Sequence, residues 1–278
     1  MGDQERVSSV AAAFDAFAGT YDADFTHTHL GKMLRARVWQ LLARHFQPGQ
    51  HILELACGTG EDAVWLARHG LRVTATDASP AMCAQTIAKA RQANLSDQID
   101  VRPLSWQDLS RQNNLPPGPY DGLLSNFGGL NTTDRWPSLA AAIGQLIRPG
   151  GRVILVPMGP CCPWEIAWYA AHGQFRAALR RLRGPATARI GPSKIPIWYP
   201  SLRTLQSHFR PWFRVVERHS LGLWLPPSYL GHLVTRQPDL FARLNRLERA
   251  TARLTAPAGD HYIVVLERRP GNETGNQH

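Results

Sequence analysis

Short apolar runs alternate with stretches of helical spacing between residues 51 and 157, and this alternation limits the possible folds more than any other feature. The apolar runs predict strands at 51–56, 71–76, 99–104, 120–125 and 152–157, and the stretches between them predict helices at 61–69, 80–93 and 134–147. Strands that alternate with helices form parallel sheets through right-handed crossovers. The sequence therefore predicts an α/β fold with helices on both faces of the sheet.

Further elements flank this region. Helical spacing at 8–18 and 30–46 predicts two helices before the first strand, and later patterns predict a helix at 200–209 and sixth and seventh strands at 213–224 and 260–269. Two connections are much longer than the usual length of about 4–6 residues, so we expect them to be structured and functional. The predicted organisation is a core with an N-terminal helical lid (1–157), a helical cap insertion (158–200), continued core (201–225), a second helical cap insertion (226–259), a last core strand (260–269) and a disordered tail (270–278).

Size and composition narrow the class of protein. A chain of 278 residues with 44% apolar composition can bury one large core. The first residues lack the apolar stretch of a signal peptide, and no apolar run approaches a membrane span, so we expect a cytoplasmic protein. The four cysteines lack metal-binding spacing, which predicts reduced thiols and no metal site.

A glycine-rich turn follows the first strand. Gly58 and Gly60 lie where the backbone N–H groups of a parallel sheet are free to meet a ligand, and Asp77 ends the second strand, where a carboxylate can bind a ribose diol. This arrangement predicts a nucleoside site. The spacing from Gly58 to Ala63 also satisfies the dinucleotide fingerprint, but the charge of Glu54 would repel a pyrophosphate and suits an ammonium or sulfonium ligand.

The segments "ELACGTGEDAVWLARHG" and "VTATDASPAM" resemble the class I S-adenosylmethionine-dependent methyltransferases, whose first motif reads E-x-x-x-G-x-G. The order of elements, with two helices first and a last strand inserted after the sixth, is similar as well. The resemblance implies a Rossmann-like, seven-stranded, mostly parallel sheet with an antiparallel last strand. It also implies S-adenosylmethionine as the cofactor.

The same resemblance implies roles for individual residues. Residues of the glycine turn would surround the methionine part of the cofactor, Asp77 would bind the ribose, and residues after the second and third strands would line the adenine. "FDAFAGTYDADF" is similar to a segment that closes over the cofactor, and "SNFGGLN" follows the fourth strand, where relatives face the methyl group. The predicted cofactor-binding residues are Tyr21, Glu54, Ala56, Gly58, Gly60, Asp77, Ala78, Met82, Ser105, Trp106 and Asn126. Ser105 stands where relatives have an acid, and Asp108 is the candidate to replace that acid.

Catalysis by methyl transfer needs a base only when the acceptor must lose a proton. Histidine is the usual base near neutral pH. His27 and His29 are the candidates, because their loop joins the cofactor-covering segment to the second helix. His219 and His261 are predicted to be strand residues.

Positive charge is concentrated in one region. Residues 159–257 hold 15 Lys or Arg against 4 Asp or Glu, a net charge of +11, whereas the rest of the chain sums to −1. The last helix of this region has two rows of residues at helical spacing. One row is predicted to form an apolar stripe (Leu240, Phe241, Leu244, Leu247, Leu254), and the other is basic (Arg243, Arg246, Arg249, Arg253). An amphipathic helix with its arginines in water explains the two rows, and so does a peripheral surface for an anionic membrane or a lipid-like acceptor.

Together these features favour a methyltransferase that acts on a small-molecule acceptor, at an oxygen or another heteroatom of an apolar or anionic metabolite. No specific nucleic acid is expected, because the chain has no RNA-binding module and the fourth strand does not end in the sequence typical of base-methylating relatives. The alternatives are a nucleic-acid- or lipid-directed methyltransferase, an NAD-dependent oxidoreductase, and a cofactor-binding regulatory or membrane-associated protein without activity.

Overall fold

The computed structural model describes residues 3–111, 118–190 and 193–270. The predicted disordered tail lies, apart from Pro270, outside the described residues. Within the described residues, no helix is both long and apolar enough to cross a membrane.

A seven-stranded sheet forms the centre of the molecule. The strands of the described residues are β1 (His51–Leu55), β2 (Arg72–Asp77), β3 (Ile99–Pro103), β4 (Tyr120–Ser125), β5 (Ile147–Leu155), β6 (Ala186–Ile190), β7 (Ser193–Ile197), β8 (Phe213–Leu221) and β9 (His261–Arg268). The central sheet has the order β3-β2-β1-β4-β5-β9-β8. Strands β1 to β5 pair in parallel, and β9 is antiparallel to both β5 and β8. The predicted fold class is confirmed, including the antiparallel last strand.

Helices cover both faces of this sheet. The α-helices of the described residues are α1 (Asp3–Phe17), α2 (His29–His45), α3 (Glu61–Arg68), α4 (Pro80–Gln92), α5 (Trp136–Leu146), α6 (Pro163–Ala171), α7 (Phe175–Ala178), α8 (Leu202–Phe209), α9 (His232–Arg236) and α10 (Pro238–Thr255), and of these α6, α7 and α9 belong to the insertions. Successive residues of a strand point to opposite faces. Ile52 accordingly packs in one buried cluster with residues of α2 and α3, and Leu53 packs in the other with residues of α5 and α8.

The first insertion is not wholly helical. It contains α6 and α7, but it ends in the antiparallel hairpin β6-β7. The alternating sequence "SKIPI" explains the second strand of the hairpin, because Ile195 and Ile197 are buried against Ala13 of α1 while Lys194 faces outward. The first insertion therefore packs directly on the N-terminal helix.

Helix α10 is rotated relative to the predicted apolar stripe. Phe241 is buried, whereas Leu240, Leu247 and Leu254 are exposed. The rotation has a polar cause, because the buried carboxylate of Glu248 accepts hydrogen bonds from the backbone N–H groups that follow β8, at 2.9 and 2.7 Å. The prediction of one apolar face through Leu240, Leu247 and Leu254 is wrong for this reason.

Candidate functional site

A cavity of about 680 Å³ lies at the carboxyl edge of the parallel strands. Its walls come from the ends of β1, β2 and β4, from α1 and the turn that follows it, and from both insertions. The predicted site residues that line it are Tyr21, Ala56, Gly58, Asp77, Ala78, Met82, Ser105, Trp106 and Asn126. The other predicted site residues, Glu54, Gly60, His27 and His29, do not line it.

The glycine turn is held by the acid at the end of β2. The N–H of Gly58 donates to Asp77 Oδ2 and the N–H of Ser79 donates to Asp77 Oδ1, both at 2.9 Å. Gly58 has a φ of +56°, and a side chain there would meet no atom within 4 Å, so its backbone is open to a ligand. Gly60 has a packing role, because a Cβ at this position would lie 2.5 Å from Thr86 Cγ2.

The N-terminal segment is tied across this turn by two aspartates. Asp22 accepts a hydrogen bond from Thr59 Oγ1 at 2.7 Å and pairs with Lys89 of α4 at 2.7 Å. Asp15 accepts from the N–H of Ala81 at the start of α4, at 3.0 Å. These contacts hold Tyr21 against the cavity.

Glu54 belongs to a buried network behind the cavity wall. The carboxylate of Asp62 pairs with Arg35 and accepts hydrogen bonds from Trp39 Nε1 at 2.7 Å and from Asn126 Nδ2 at 2.9 Å. Glu54 is 2% exposed, and its Oε2 has no hydrogen-bond partner among the described residues. Burial, together with the charge of Asp62, raises the pKa of Glu54 well above its usual value.

Replacing Glu54 by glutamine is expected to stabilise the protein above acidic pH. Because the pKa of Glu54 is raised in the folded state, its ionisation costs stability once the pH exceeds the unfolded pKa, and this cost grows as the pH rises toward the folded pKa. We expect equal melting temperatures for Glu54→Gln and wild type near pH 4. The variant should melt higher at pH 8, by about 2–4 °C for each kcal/mol of cost removed. Thermal melts from pH 4 to 9 test this, and a difference that does not change with pH would contradict it.

The opposite end of the cavity holds a histidine that the sequence analysis assigned only as a strand residue. His261, the first residue of β9, lines the cavity, and its Nδ1 lies 3.1 Å from Asp260 Oδ2. Arg181 Nη2 lies 2.7 Å from Asp260 Oδ1 and 2.8 Å from Glu165 Oε2. Burial alone would raise the pKa of Asp260, but the neighbouring His261 and Arg181 outweigh it and hold that pKa well below its usual value. A fixed carboxylate therefore lies beside Nδ1 of the His261 ring, at a distance but not an angle of a hydrogen bond.

His27 and His29 are not placed to act as bases at this cavity. Both side chains are exposed, and both flank Thr28, whose side chain accepts a hydrogen bond from the N–H of Gly31 and caps α2. The helix start therefore turns them away from the cavity. His261 had a signal in the sequence: the first residue of an antiparallel last strand lies at the edge where the parallel strands end.

Asp108 does not serve as the replacement acid at the adenine position. Its Oδ2 accepts hydrogen bonds from Ser105 N at 3.0 Å and Ser105 Oγ at 2.7 Å, and Asp108 does not line the cavity. It caps the short helix Trp106–Arg111. Ser105 and Trp106 themselves lie on the cavity wall.

No group of three or more His, Cys, Asp or Glu side chains in the described parts of the chain is arranged to hold a metal ion. All four cysteines are free thiols, and three of them are buried.

The strand order, the glycine turn after β1 and the acid at the end of β2 define a Rossmann-like domain that binds a nucleoside. Residues 52–151 match a protein family described as "Methyltransferase domain". Residues 52–151 therefore form a methyltransferase domain of the class that the sequence motifs resemble, and the cofactor of that class is S-adenosylmethionine. This match favours S-adenosylmethionine over a dinucleotide at the glycine turn.

Three known proteins illustrate the similarity. A demethylmenaquinone methyltransferase from Symbiobacterium thermophilum is 29% identical over 161 residues, which cover 54% of this chain and 59% of the relative. A ubiquinone biosynthesis O-methyltransferase from Xanthomonas campestris is 28% identical over 138 residues, covering 49% and 54% respectively. The chain thus spans between half and three fifths of these relatives. The structure of the DhpI–SAH complex shares the fold with a TM-score of 0.59 at 18% identity, over 97% of this chain and all of that one.

Proposed function

We propose that this protein transfers a methyl group from S-adenosylmethionine to an oxygen or another heteroatom of a small, largely apolar acceptor that carries an anionic group. One observation carries the proposal: a single cavity connects Asp77 and Met82, at the nucleoside end, with His261 beneath the two insertions. A cofactor and an acceptor can therefore meet in one cavity.

The residues of the nucleoside end suit this cofactor. When bound, S-adenosylmethionine supplies an electrophilic methyl group on a sulfonium sulfur. Asp77 would accept hydrogen bonds from the ribose hydroxyls, and the open backbone of Gly58 would allow close approach of the methionine part. Met82 and Trp106 would contact the adenine, and Tyr21 would close over the ligand.

The acceptor end of the cavity suits an apolar acceptor with a negative group. Phe14, Phe127 and Tyr199 contribute aromatic surface to the cavity. Arg181 lines the cavity too, but its charge is compensated by the acids that it contacts. Arg189 lines the cavity, is exposed, and has no ion-pair partner among the described residues, so it is available to an acceptor anion. Two relatives are named for menaquinone and ubiquinone biosynthesis, which supports an acceptor with an apolar ring.

His261 would accept the proton of an acceptor hydroxyl. With Nδ1 toward Asp260, its Nε2 is the nitrogen left to act as the base, and the Asp260 carboxylate would stabilise the imidazolium that forms. The proton then passes to solvent. Asp260 is the positioning residue in this scheme, and Arg181 fixes Asp260 from the other side.

Replacing Asp77 by alanine is expected to weaken cofactor binding. Losing a hydrogen bond from the ribose to a charged acceptor costs about 1.5–3 kcal/mol, which corresponds to a roughly 10- to 100-fold higher Kd. Calorimetric titration with S-adenosylhomocysteine measures the change. Asp100→Ala, which removes an exposed aspartate of β3, is the matched control and should bind like wild type. A wild type that gives no heat with S-adenosylhomocysteine but binds NAD would overturn the proposal.

A further inference from the structure

The later part of the first insertion and the chain that follows it carry a high positive charge. Residues 166–216 contain nine Lys or Arg and no Asp or Glu. The acid that precedes this stretch, Glu165, is 1% exposed and is bonded to Arg180 at 2.8 Å and to Arg181 at 2.8 Å. Glu165 and Asp260 therefore compensate Arg180 and Arg181, and Glu267 pairs with Arg214. Arg176 and Arg183 have no ion-pair partner among the described residues.

The same part of the insertion exposes large apolar side chains. Phe175 is 66% exposed, Leu182 is 56% exposed and Leu179 is 38% exposed. Phe175 lies on α7, Leu182 lies on the turn Arg180–Arg183 that follows it, and Leu179 lies between the two. Helix α7 packs on α6. Trp168, a residue of α6, is 36% exposed. We define the cap tip as Trp168, Phe175, Arg176, Leu179, Leu182 and Arg183.

The cap tip adjoins the acceptor end of the cavity. Arg180 and Arg181 belong to the same turn as Leu182 and Arg183, and both of them line the cavity. Tyr229, which also lines the cavity and is 46% exposed, donates a hydrogen bond to Glu165 at 3.4 Å. The exposed apolar side chains are thus close to the part of the cavity that would receive the acceptor.

We propose that the cap tip binds the surface of an anionic lipid bilayer, so that an apolar acceptor passes from the lipid into the cavity. Aromatic and leucine side chains beside arginines are the composition of interfacial segments: the apolar groups enter the headgroup boundary and the arginines meet the lipid phosphates. A nucleic acid would meet the arginines but offers nothing comparable to Leu179 and Leu182. A second copy of the chain would bring two uncompensated positive surfaces together.

Helix α10 is the weaker candidate for this contact, although it too exposes leucines beside arginines. Arg253 of α10 pairs with Glu217 at 3.1 Å. Glu217 also pairs with Arg44 at 3.1 Å. The row of arginines on α10 is therefore partly neutralised within the protein. Leu254, 87% exposed on α10, consequently provides a matched control for the cap tip.

Co-sedimentation with phosphatidylcholine vesicles, with and without phosphatidylglycerol, tests the proposal. Wild type is expected to sediment with the anionic vesicles at low salt, and less at high salt because the attraction is screened. The Phe175→Ser/Leu182→Ser variant should bind at least about tenfold more weakly, because it no longer buries two apolar side chains. Arg176→Glu/Arg183→Glu should lose a similar amount. Leu254→Ser should bind like wild type.

The outcomes separate this proposal from the proposed methyltransferase activity. All variants should keep the wild-type affinity for S-adenosylhomocysteine, since none of the changed residues lines the cavity. If the serine variant fails to fold, the arginine variant decides, because both of its changed side chains are exposed. Two outcomes would overturn the proposed membrane contact: no binding of wild type to anionic vesicles, or an equal loss of vesicle binding in Leu254→Ser and in the cap-tip variants. Neither outcome would contradict the proposed methyltransferase activity. If wild type does not bind vesicles but forms a dimer, and the serine variant is a monomer, then the cap tip is the contact with a second copy of the chain instead.

Discussion

Replacing His261 by alanine is expected to lower methyl transfer by about 10²- to 10⁴-fold, the range typical of a lost general base. His261 lines the cavity beneath the insertions, and the ionised carboxylate of Asp260 faces its Nδ1 at 3.1 Å. Without the imidazole, an acceptor hydroxyl loses the base that would take its proton. Transfer of labelled methyl to a panel of hydroxylated aromatic carboxylates measures the effect, and binding of S-adenosylhomocysteine should stay at the wild-type level.

Three further variants make this result specific. Asp260→Asn should lose less activity than His261→Ala, because the base remains while its partner charge is removed. His27→Ala and His29→Ala should keep wild-type activity, since both histidines are exposed and lie away from the cavity. His261→Ala with activity within about threefold of wild type would contradict the role of base and would fit an acceptor that has no proton to lose.

The fold could be predicted because its signals are local. The runs of apolar residues that form β1 to β5, and the helices between them, each need only a few neighbouring residues to be recognised. Gly58 and Asp77 could be placed for the same reason: each directly follows or ends a strand, and the parallel order brings strand ends to one edge. In the structure the N–H of Gly58 donates a hydrogen bond to Asp77 at 2.9 Å, so the two predicted residues are in direct contact.

The rest depended on contacts between distant parts of the chain. Asp260 and His261 reach the cavity because β9 runs against its neighbours, so its beginning lies where the others end. The rotation of α10 is set by hydrogen bonds from the backbone after β8 to Glu248, and such bonds have no local pattern. Glu54 was expected to contact the cofactor, but the alternation along β1 directs it into the cluster around Arg35, on the face of Ile52.

Replacing Asp62 by alanine is expected to destabilise the protein by about 3–5 kcal/mol, because it leaves the guanidinium of Arg35 buried without its partner. Trp39 and Asn126 also lose their acceptor. Urea unfolding measures the loss. Arg35→Met/Asp62→Leu should recover most of the stability, since apolar side chains can replace a buried ion pair. As a control, Asp100→Ala removes an exposed pair and should cost no more than about 1 kcal/mol.

Glu54 offers a sharper test of the same network. The charge of Asp62 raises the pKa of Glu54, while Arg35 lowers it. In the Asp62→Ala protein the opposing charge is gone, so Glu54 should ionise beside Arg35 and replace part of the lost attraction. Glu54→Gln, expected to stabilise the wild type at pH 8, should therefore destabilise the Asp62→Ala protein at the same pH. A double-mutant cycle by urea unfolding detects this change of sign. Additive effects would mean that Glu54 and Arg35 do not interact, and that the carboxyl of Glu54 stays neutral whatever stands at position 62.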